Sequence, residues 1–202
     1  YRYKLDSFSW TDWFEGASVT LEYLDEGEHI ISIQSRYLSG DTSEVVSRLF
    51  IVDAVDGPSL MFFPRRHISI QGETVTFHVL AEEVTALMAA EIHLGFDQSK
   101  LEIISVTQGS LFQNSQESIF SYELSSGSIE VLTTLLSSSS PSVSGTGDLI
   151  QIEVKSLQPG LASIYFNSNN RFRDPNNLNI SIREFVNARV EAVSYTHLTL
   201  PT

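Results

Sequence analysis

The sequence predicts an all-β protein. Short runs rich in Val, Ile, Phe, Tyr and Thr recur about every 8 to 12 residues, with Gly, Ser, Asn and Asp between them, which is the spacing of sandwiches and barrels. Helical periodicity is nearly absent along the 202 residues. A hydrophobic fraction of 42% is ample for a packed core, so the composition is that of a globular chain.

The first 54 residues predict about four strands, with the sequences YRYKL, SVTLEYL, HIISIQSRYL and SRLFIV. Turns are expected at LDEGEH, Leu24 to His29, and at LSGDTS, Leu38 to Ser43. A complete immunoglobulin-like sandwich needs about seven strands in roughly 100 residues. We therefore expect residues 1–54 to be the C-terminal part of such a module, truncated at its beginning.

The sequence of this first part resembles the Ig-like or fibronectin-like modules of bacterial surface proteins and sensors, including the three-tyrosine sensor domain. The resemblance rests on YRYKLDSFSWTDW followed by SVTLEYLDEGEHIISIQSRYLSGD. Such modules are mostly spacers. Trp10 and Trp13 could stack on a sugar ring, and core packing is the alternative. The stretch VDAVDGPS then predicts a linker, at residues 55–58, into a second module.

The second module, residues 59–192, predicts nine strands that form two sheets packed face to face. Alternation in TVTFHVL points Val75, Phe77 and Val79 to one side. In MAAEIHLGF the apolar residues face inward, which leaves Glu91 and His93 outward. The nine predicted segments are SLMFF, TVTFHVL, MAAEIHLGF, LEIISVT, IFSYEL, SIEVLTTLL, GDLIQIEVKSL, ASIYF and EFVNARVEA.

The order of these pieces resembles a cohesin domain, the receptor half of the cohesin and dockerin pair of bacterial cellulosomes and other extracellular assemblies. The matching segments are GETVTFHVLAEEV, ALMAAEIHLGFDQSKLEIISVTQGSLF, FSYELSSGSIEVLTTLLSSSS, GTGDLIQIEVKSLQPGLASIYF and VNARVEA. The second segment is the most specific, because a strand ending in F-D-x-x-x-L-E-I-x-S-V-x-x-G-S-L is typical of that family. The resemblance covers about 135 residues.

The resemblance implies a nine-stranded jelly-roll sandwich without catalytic activity. In the family, dockerin helices pack on a flat face built from the third, fifth, sixth and eighth strands. The pattern departs at Ala89, where cellulosomal receptors often carry a polar residue. Carried over by position, the partner-binding residues are Glu91, His93, Glu123, Glu130, Leu132, Ser163 and Tyr165.

The residues themselves support a binding face but leave alternatives open. Outward carboxylates, a histidine, Leu132 and Tyr165 would make a moderately apolar centre with an acidic rim, which is the anatomy of a protein-binding patch. A solvated sheet face is the ordinary alternative for an antiparallel sandwich. Two further functions remain: a carbohydrate-binding module, since the fold is shared with such modules, and a structural spacer of an adhesin or sensor ectodomain.

Composition and motifs argue against other functions. The net charge of −13 disfavours nucleic acid and anionic membranes as partners. The acidic pattern is broken only by Arg65–Arg66 and by RFR at Arg171–Arg173. The chain has no cysteine, and its five histidines are scattered without metal-ligand spacing. Neither a nucleophile elbow nor a phosphate-binding loop is present. We therefore predict that the chain is not an enzyme, and no run in this fragment is long enough to span a membrane.

One loop offers oxygen ligands for calcium. The polar stretch NSNNRFRDPNNLN, Asn167 to Asn179, has suitable side chains but lacks the spacing of an EF-hand loop. We expect no cofactor in this chain, and any calcium is expected to be carried by the dockerin partner. That partner would be a dockerin-bearing enzyme, and polysaccharide is a second candidate ligand.

The last ten residues, VSYTHLTLPT at 193–202, do not continue the pattern of the fold. They resemble the translation of a transposon-end adapter used in preparing DNA sequencing libraries, so we exclude them from fold reasoning. The expected protein is thus a metagenomic fragment of a bacterial extracellular or cell-surface protein. Its expected role is that of a non-catalytic scaffolding module in a polysaccharide-degrading or cell-surface assembly.

Overall fold

The computed structural model describes residues 1–16, 18–53, 55–113, 118–136 and 142–194. The chain divides into two compact units, Tyr1–Ala54 and Val55–Thr202. Most of the predicted tail, residues 195–202, lies outside the described residues.

The first unit contains one antiparallel sheet of three strands in the order β1-β2-β3. Alternating apolar residues of β1 (Arg2–Leu5), β2 (Gly27–Gln34) and β3 (Val46–Val52) form these strands. The chain turns between β2 and β3 at the predicted LSGDTS segment, and an antiparallel bridge joins Arg36 to Thr42 at its base.

The predicted strand SVTLEYL is not a strand in the structure. Its residues have the alternation of a strand, but none of β1, β2 and β3 pairs with them. Val19 is exposed as a result. Alternation predicts which side chains share a face, whereas a strand also needs a neighbour that accepts and donates its backbone hydrogen bonds.

The second unit is a β-sandwich, and the predicted all-β class is confirmed. The twelve strands in its described residues are β4 (Ser59–Phe63), β5 (Arg66–Ile70), β6 (Thr74–Leu87), β7 (Ala89–Phe96), β8 (Leu101–Gln108), β9 (Ser118–Ser125), β10 (Ser128–Leu135), β11 (Val143–Ser156), β12 (Gly160–Phe166), β13 (Arg171–Arg173), β14 (Glu184–Val186) and β15 (Ala188–Val193). One helical turn, α1 (Ser110–Gln113), follows β8.

These strands form two sheets. The larger sheet has the order β5-β15-β12-β7-β10-β9, and β13 pairs with one end of β7. The smaller sheet has the order β14-β4-β6-β11-β8. All pairs are antiparallel except β14 with β4 and β15 with β5. The chain crosses from one sheet to the other twice in the same way, between β4 and β5 and between β14 and β15.

The core lies between the inner faces of the two sheets. Phe77 and Ile152 from the smaller sheet and Ile92 and Leu94 from the larger sheet are fully buried in it, together with Phe112 of α1. Of the predicted inward residues of TVTFHVL and MAAEIHLGF, all are buried except Val75, which is partly buried against the core. Burial of each such side chain contributes about 1.5–3 kcal/mol to folding.

The strand count differs from the predicted nine for local reasons. The final segment, EFVNARVEA, is divided at Asn187 into β14 in one sheet and β15 in the other. The Asn187 side-chain oxygen accepts a hydrogen bond from the Phe166 N–H at this crossing. The short strand β13 lies in the predicted polar loop Asn167 to Asn179, and β5 lies in a segment for which no strand was predicted. Val193, assigned by sequence to the tail, is the last residue of β15 and accepts a hydrogen bond from the Gln71 N–H.

Candidate partner-binding face

The seven predicted partner-binding residues all lie on the outward face of the larger sheet. They come from β12, β7, β10 and β9, which are consecutive neighbours in that sheet. Cross-strand register places Leu132 beside Glu91, and Glu130 between His93 and Glu123. Directly opposite residues share a face, so the alternation that buries Ile92 and Leu94 presents these side chains to solvent.

His93 is the centre of a charged cluster on this face. Its Nε2 donates to Glu91 Oε1 at 3.0 Å, and its Nδ1 lies 3.6 Å from Glu130 Oε1. The His93 side chain is only 16% exposed, whereas that of Glu130 is 60% exposed. The histidine is therefore held in one orientation between two carboxylates, and the carboxylates form the accessible surface.

A polar loop after β12 completes one side of this cluster. The Asn170 side-chain oxygen accepts a hydrogen bond from the His93 N–H at 2.8 Å, and the His93 carbonyl oxygen accepts one from the Asn167 N–H. Arg171, in β13, lies opposite Glu91, with 3.6 Å between its Nη1 and Glu91 Oε2. Asn170 and Arg171 were missed as site residues, although the basic RFR triplet in an acidic chain was a signal of their position.

Tyr165 lies across the face where Gly95 leaves room for it. The two residues are cross-strand partners, and a Cβ added to Gly95 would lie 2.4 Å from Tyr165 Cζ. The ring therefore rests on the backbone of β7 and remains 41% exposed. With Leu132, which is 46% exposed, it supplies the apolar part of the face.

Ser163 and Glu123 lie at opposite sides of this arrangement. Ser163 is paired with Arg189 of β15, away from the His93 cluster. Glu123 is on β9, at the edge of the sheet, and is exposed. Ala89, the position that departs from the family pattern, is the first residue of β7 and lies beside Thr134 of β10. Five of the seven predicted residues thus lie around the His93 cluster and Tyr165, and Ser163 and Glu123 lie on either side of them.

The oxygen-rich loop has internal partners. Asp174 Oδ1 accepts hydrogen bonds from the N–H groups of Asn176 and Leu178, as expected for an Asx turn. The described residues contain no group of three or more His, Cys, Asp and Glu side chains suited to a metal ion. The calcium hypothesis for Asn167 to Asn179 stays a prediction.

The two tryptophans of the first unit stack on cations. The Arg2 guanidinium lies 4.7 Å from the ring centroids of both Trp10 and Trp13. Lys4 approaches Trp10 at 5.7 Å, and Arg36 approaches Trp13 at 4.8 Å. These rings therefore alternate with cations in a series of cation–π contacts. The sequence had suggested sugar stacking or core packing for the two tryptophans, and neither interpretation included these contacts.

Comparison with known proteins identifies the second unit. The model of the cohesin domain family matches residues 69–191. The chain belongs to the cohesin domain family. This cohesin resembles the non-cellulosomal cohesin of the archaeon Archaeoglobus fulgidus, with 20% identity and a TM-score of 0.57 over 67% of this chain and 91% of that one. A search of curated proteins finds no match.

Two cohesins solved with dockerins have the same fold. The sixth cohesin of scaffoldin B from Acetivibrio cellulolyticus, in complex with a Cel5 dockerin mutant, is 19% identical, with a TM-score of 0.59 over 68% of this chain and 100% of that one. The OlpA cohesin of Clostridium thermocellum, in complex with a dockerin, is 19% identical, with a TM-score of 0.57 over 67% of this chain and 98% of that one.

The family assignment confirms two interpretations from the sequence. The resemblance to a cohesin is confirmed, and since cohesins are non-catalytic binding modules, so is the interpretation that the chain is not an enzyme. The Ig-like interpretation of the first unit stays a prediction, because the family match begins at residue 69. Within the described residues, no helix is both long and apolar enough to cross a membrane.

Proposed function

We propose that this cohesin binds a dockerin-type protein through the outward face formed by β12, β7, β10 and β9. The observation that carries the proposal is the composition of that face: Leu132 and Tyr165 are exposed beside the His93 cluster on four consecutive antiparallel strands. Exposed apolar residues with a charged surround are typical of protein-binding patches. The similar cohesins from A. cellulolyticus and C. thermocellum were solved in complexes with dockerins.

A protein partner is favoured over carbohydrate by the number of exposed rings. Across the described positions of β12, β7, β10 and β9, Tyr165 is the one aromatic side chain on the outward face. A polysaccharide platform needs several coplanar rings, since each sugar stacks on one ring. A purely structural spacer, in turn, would not need exposed Leu132 and Tyr165 at the centre of a sheet.

We place the protein outside the cell or on its surface, in a polysaccharide-degrading or cell-surface assembly. This placement is supported by the family, whose A. cellulolyticus member belongs to a scaffoldin. The first unit would serve as an Ig-like spacer. Calcium, where binding requires it, would be held by the partner.

The full chain, used as bait in the secretome of its source community, tests the proposal. Capture is carried out with and without a calcium chelator, and bound proteins are identified by mass spectrometry. We expect a dockerin-bearing protein that is lost with chelator. Leu132→Asp should reduce capture by at least about tenfold, because a buried, unpaired charge at an interface costs more than 1.4 kcal/mol.

Ile104→Asp is the matched control. Ile104 is 47% exposed, close to the 46% of Leu132, but lies on β8 in the smaller sheet. Its substitution should leave capture unchanged. Equal loss with both variants would mean that the outward face of the larger sheet is not the binding site. No captured dockerin, with a bait shown to be folded by circular dichroism, would support the spacer.

A further inference from the structure

The cations that contact the two tryptophans gather on one face of the first unit. Arg2 and Lys4 are two residues apart on β1, so their side chains project from the same face of the sheet. Backbone hydrogen bonds hold the segment that carries Trp10 and Trp13 beside β1, next to these cations. Arg36, two residues after the end of β2, also contacts Trp13. We call these five residues the cation–tryptophan cluster.

The cations of this cluster have no carboxylate partner. Residues 1–54 contain ten Asp and Glu residues and only four Lys and Arg residues. Even so, within the described part of this unit no carboxylate lies within ion-pair distance of Arg2, Lys4 or Arg36. Asp12, which lies between the two tryptophans in sequence, is exposed and makes no such pair either. An acidic unit thus keeps three of its four cations together and away from its own acids.

Most hydrogen-bond donors of these cations are unused. Gln34 Oε1 accepts hydrogen bonds from Nε and Nη2 of Arg2, at 3.0 and 2.7 Å, and these bonds orient the guanidinium. The Lys4 and Arg36 side chains make no hydrogen bond to the described residues. A guanidinium that stacks on a ring uses its flat face, so the N–H groups at its edge stay available to an anion. Because the rings restrain these cations, an anion would bind them at a lower entropic cost.

We propose that the cation–tryptophan cluster binds an acidic polysaccharide through the carboxylate or sulfate groups of the sugar chain. Lys and Arg bind such anions through charge-assisted hydrogen bonds, and Arg can bind a carboxylate with two parallel bonds. An acidic sugar chain carries an anion at regular intervals, so one chain can engage several cations of the cluster.

Other ligands fit the cluster less well. Cations lie over both tryptophan rings, so a neutral sugar or a nucleic-acid base would have to displace a cation to stack there. Polysaccharide is favoured over an acidic protein because the proposed function places the chain in a polysaccharide-degrading or cell-surface assembly. The inference rests on that placement and does not require dockerin binding.

Tryptophan fluorescence tests the inference, because the two tryptophans of the chain both belong to the cluster. The full chain is titrated with an oligogalacturonate as the carboxylated sugar and with dextran sulfate as the sulfated one. A neutral galactan of similar length, poly-glutamate and single-stranded DNA are the controls. We expect at least one acidic polysaccharide to change the emission, with an affinity that falls as salt is added. The neutral galactan should have no effect.

Matched variants locate the binding site. Arg36→Gln and Lys4→Gln each remove one cation of the cluster, and each should weaken binding of the acidic polysaccharide at least about tenfold. Arg48→Gln removes the fourth cation of the unit from the opposite face of the sheet, where Arg48 lies beside Ile31, and should leave binding unchanged. Isothermal titration calorimetry measures these affinities independently of the tryptophan signal, and circular dichroism checks that each variant is folded.

Each outcome supports or overturns the inference. Absence of binding by both acidic polysaccharides, equal binding by the galactan, or equal losses in Arg36→Gln and Arg48→Gln would overturn it. Tighter binding of poly-glutamate or DNA than of either polysaccharide would overturn it in favour of a protein or a nucleic acid. Binding of only one acidic polysaccharide would support it and identify the anion.

The same experiments leave the dockerin proposal to its own test. Dockerin capture without polysaccharide binding would overturn only the inference about the cluster. Polysaccharide binding without dockerin capture would support the cluster as a binding site and count against the dockerin partner alone.

Discussion

At the scale of single residues, the proposed partner-binding face depends on a glycine as much as on its charged groups. Gly95 has no side chain, so the Tyr165 ring can lie on the backbone of β7. The neighbouring charged cluster depends on His93, whose backbone is held by the loop after β12. The family resemblance implied that Tyr165 faces outward, but the contact with Gly95 depends on the pairing of β12 with β7.

Substitution of Gly95 by alanine should affect binding more than stability. The new Cβ would meet the end of an exposed ring that can move aside, so we expect a loss of less than about 1 kcal/mol in the free energy of unfolding. Because the displaced Tyr165 ring would no longer lie flat, dockerin binding should weaken. Urea denaturation and a binding titration measure the two effects.

Gly109→Ala provides the contrast. There the added Cβ would lie 2.3 Å from the backbone oxygen of Asp148, which cannot move aside cheaply. This variant should lose about 2 kcal/mol or more of unfolding free energy. Similar losses for Gly95→Ala and Gly109→Ala would show that Tyr165 is locked in place.

At the scale of strands, the alternation of side chains was predicted well and the partners of strands were not. The segments of β6, β7 and β10 were predicted as strands, and in TVTFHVL and MAAEIHLGF the regular apolar alternation also predicted the inward face. SVTLEYL has the same alternation and forms no strand. EFVNARVEA was predicted as one strand, although its two halves pair in different sheets.

Removal of one charge from the cross-strand partners Glu123 and Glu130 should stabilise the pairing of β9 with β10. Glu123→Gln relieves a direct cross-strand repulsion, and we expect the free energy of unfolding to rise by about 0.2–1 kcal/mol. Glu184→Gln, which has no acidic cross-strand partner, should change it less. Chemical denaturation at low and high salt measures both, and the difference should shrink in high salt. An equal gain in both variants would mean that net charge, and not the pair, causes the effect.

At the scale of the whole molecule, the first unit should lose stability as pH rises above 6.5, and the second unit should lose stability as pH falls below 6.5. In the first unit, hydrogen bonds to the Asp25 carbonyl oxygen and to the Asp6 carboxylate, both at 2.8 Å, raise the pKa of His29 above 6.5. In the second unit, burial against Phe77 lowers the pKa of His67 below 6.5, and Glu73 offsets only part of this effect.

The direction of each pKa shift determines whether stability rises or falls with pH. The stabilisation from His29 is complete below pH 6.5 and is lost as pH rises through the raised pKa of the folded unit. The stabilisation from neutral His67 is present above pH 6.5 and is lost as pH falls through the lowered pKa. Burial raises the pKa of Asp6, but hydrogen bonds from His29 and from the Ile30 N–H outweigh this, so the net pKa falls below 3.8. Its contribution is therefore lost only in more acidic solution.

Tryptophan fluorescence separates the two units, because both tryptophans, Trp10 and Trp13, are in the first unit. Between about pH 6 and 8 the unfolding midpoint followed by tryptophan should fall with pH. The midpoint followed by circular dichroism of the second unit should stay level above pH 6.5 and should fall as the pH is lowered below that value. His29→Gln should flatten the tryptophan profile, and an unchanged profile in this variant would contradict the assignment.

The sequence by itself determined the class of the fold and the composition of the face. Alternating apolar residues predicted the sandwich, and the same alternation predicted that Glu91 and His93 point outward, while the family resemblance implied this for Glu130 and Leu132. The family resemblance, carried by local motifs, was also readable from the chain. These properties are local, because the two-residue period of a strand determines which side chains share a face.

Only the tertiary structure decided which strands are neighbours and hence which charges meet. The order β12-β7-β10-β9 places Glu123 directly beside Glu130, and β13 brings Arg171 to Glu91 from 80 positions further along the chain. Strand order depends on pairing between distant segments, and no local pattern encodes it. For that reason the outward residues were predictable from the sequence. Only the folded sheet shows that Glu91 lies beside the opposite charge of Arg171, whereas Glu123 and Glu130 lie beside each other.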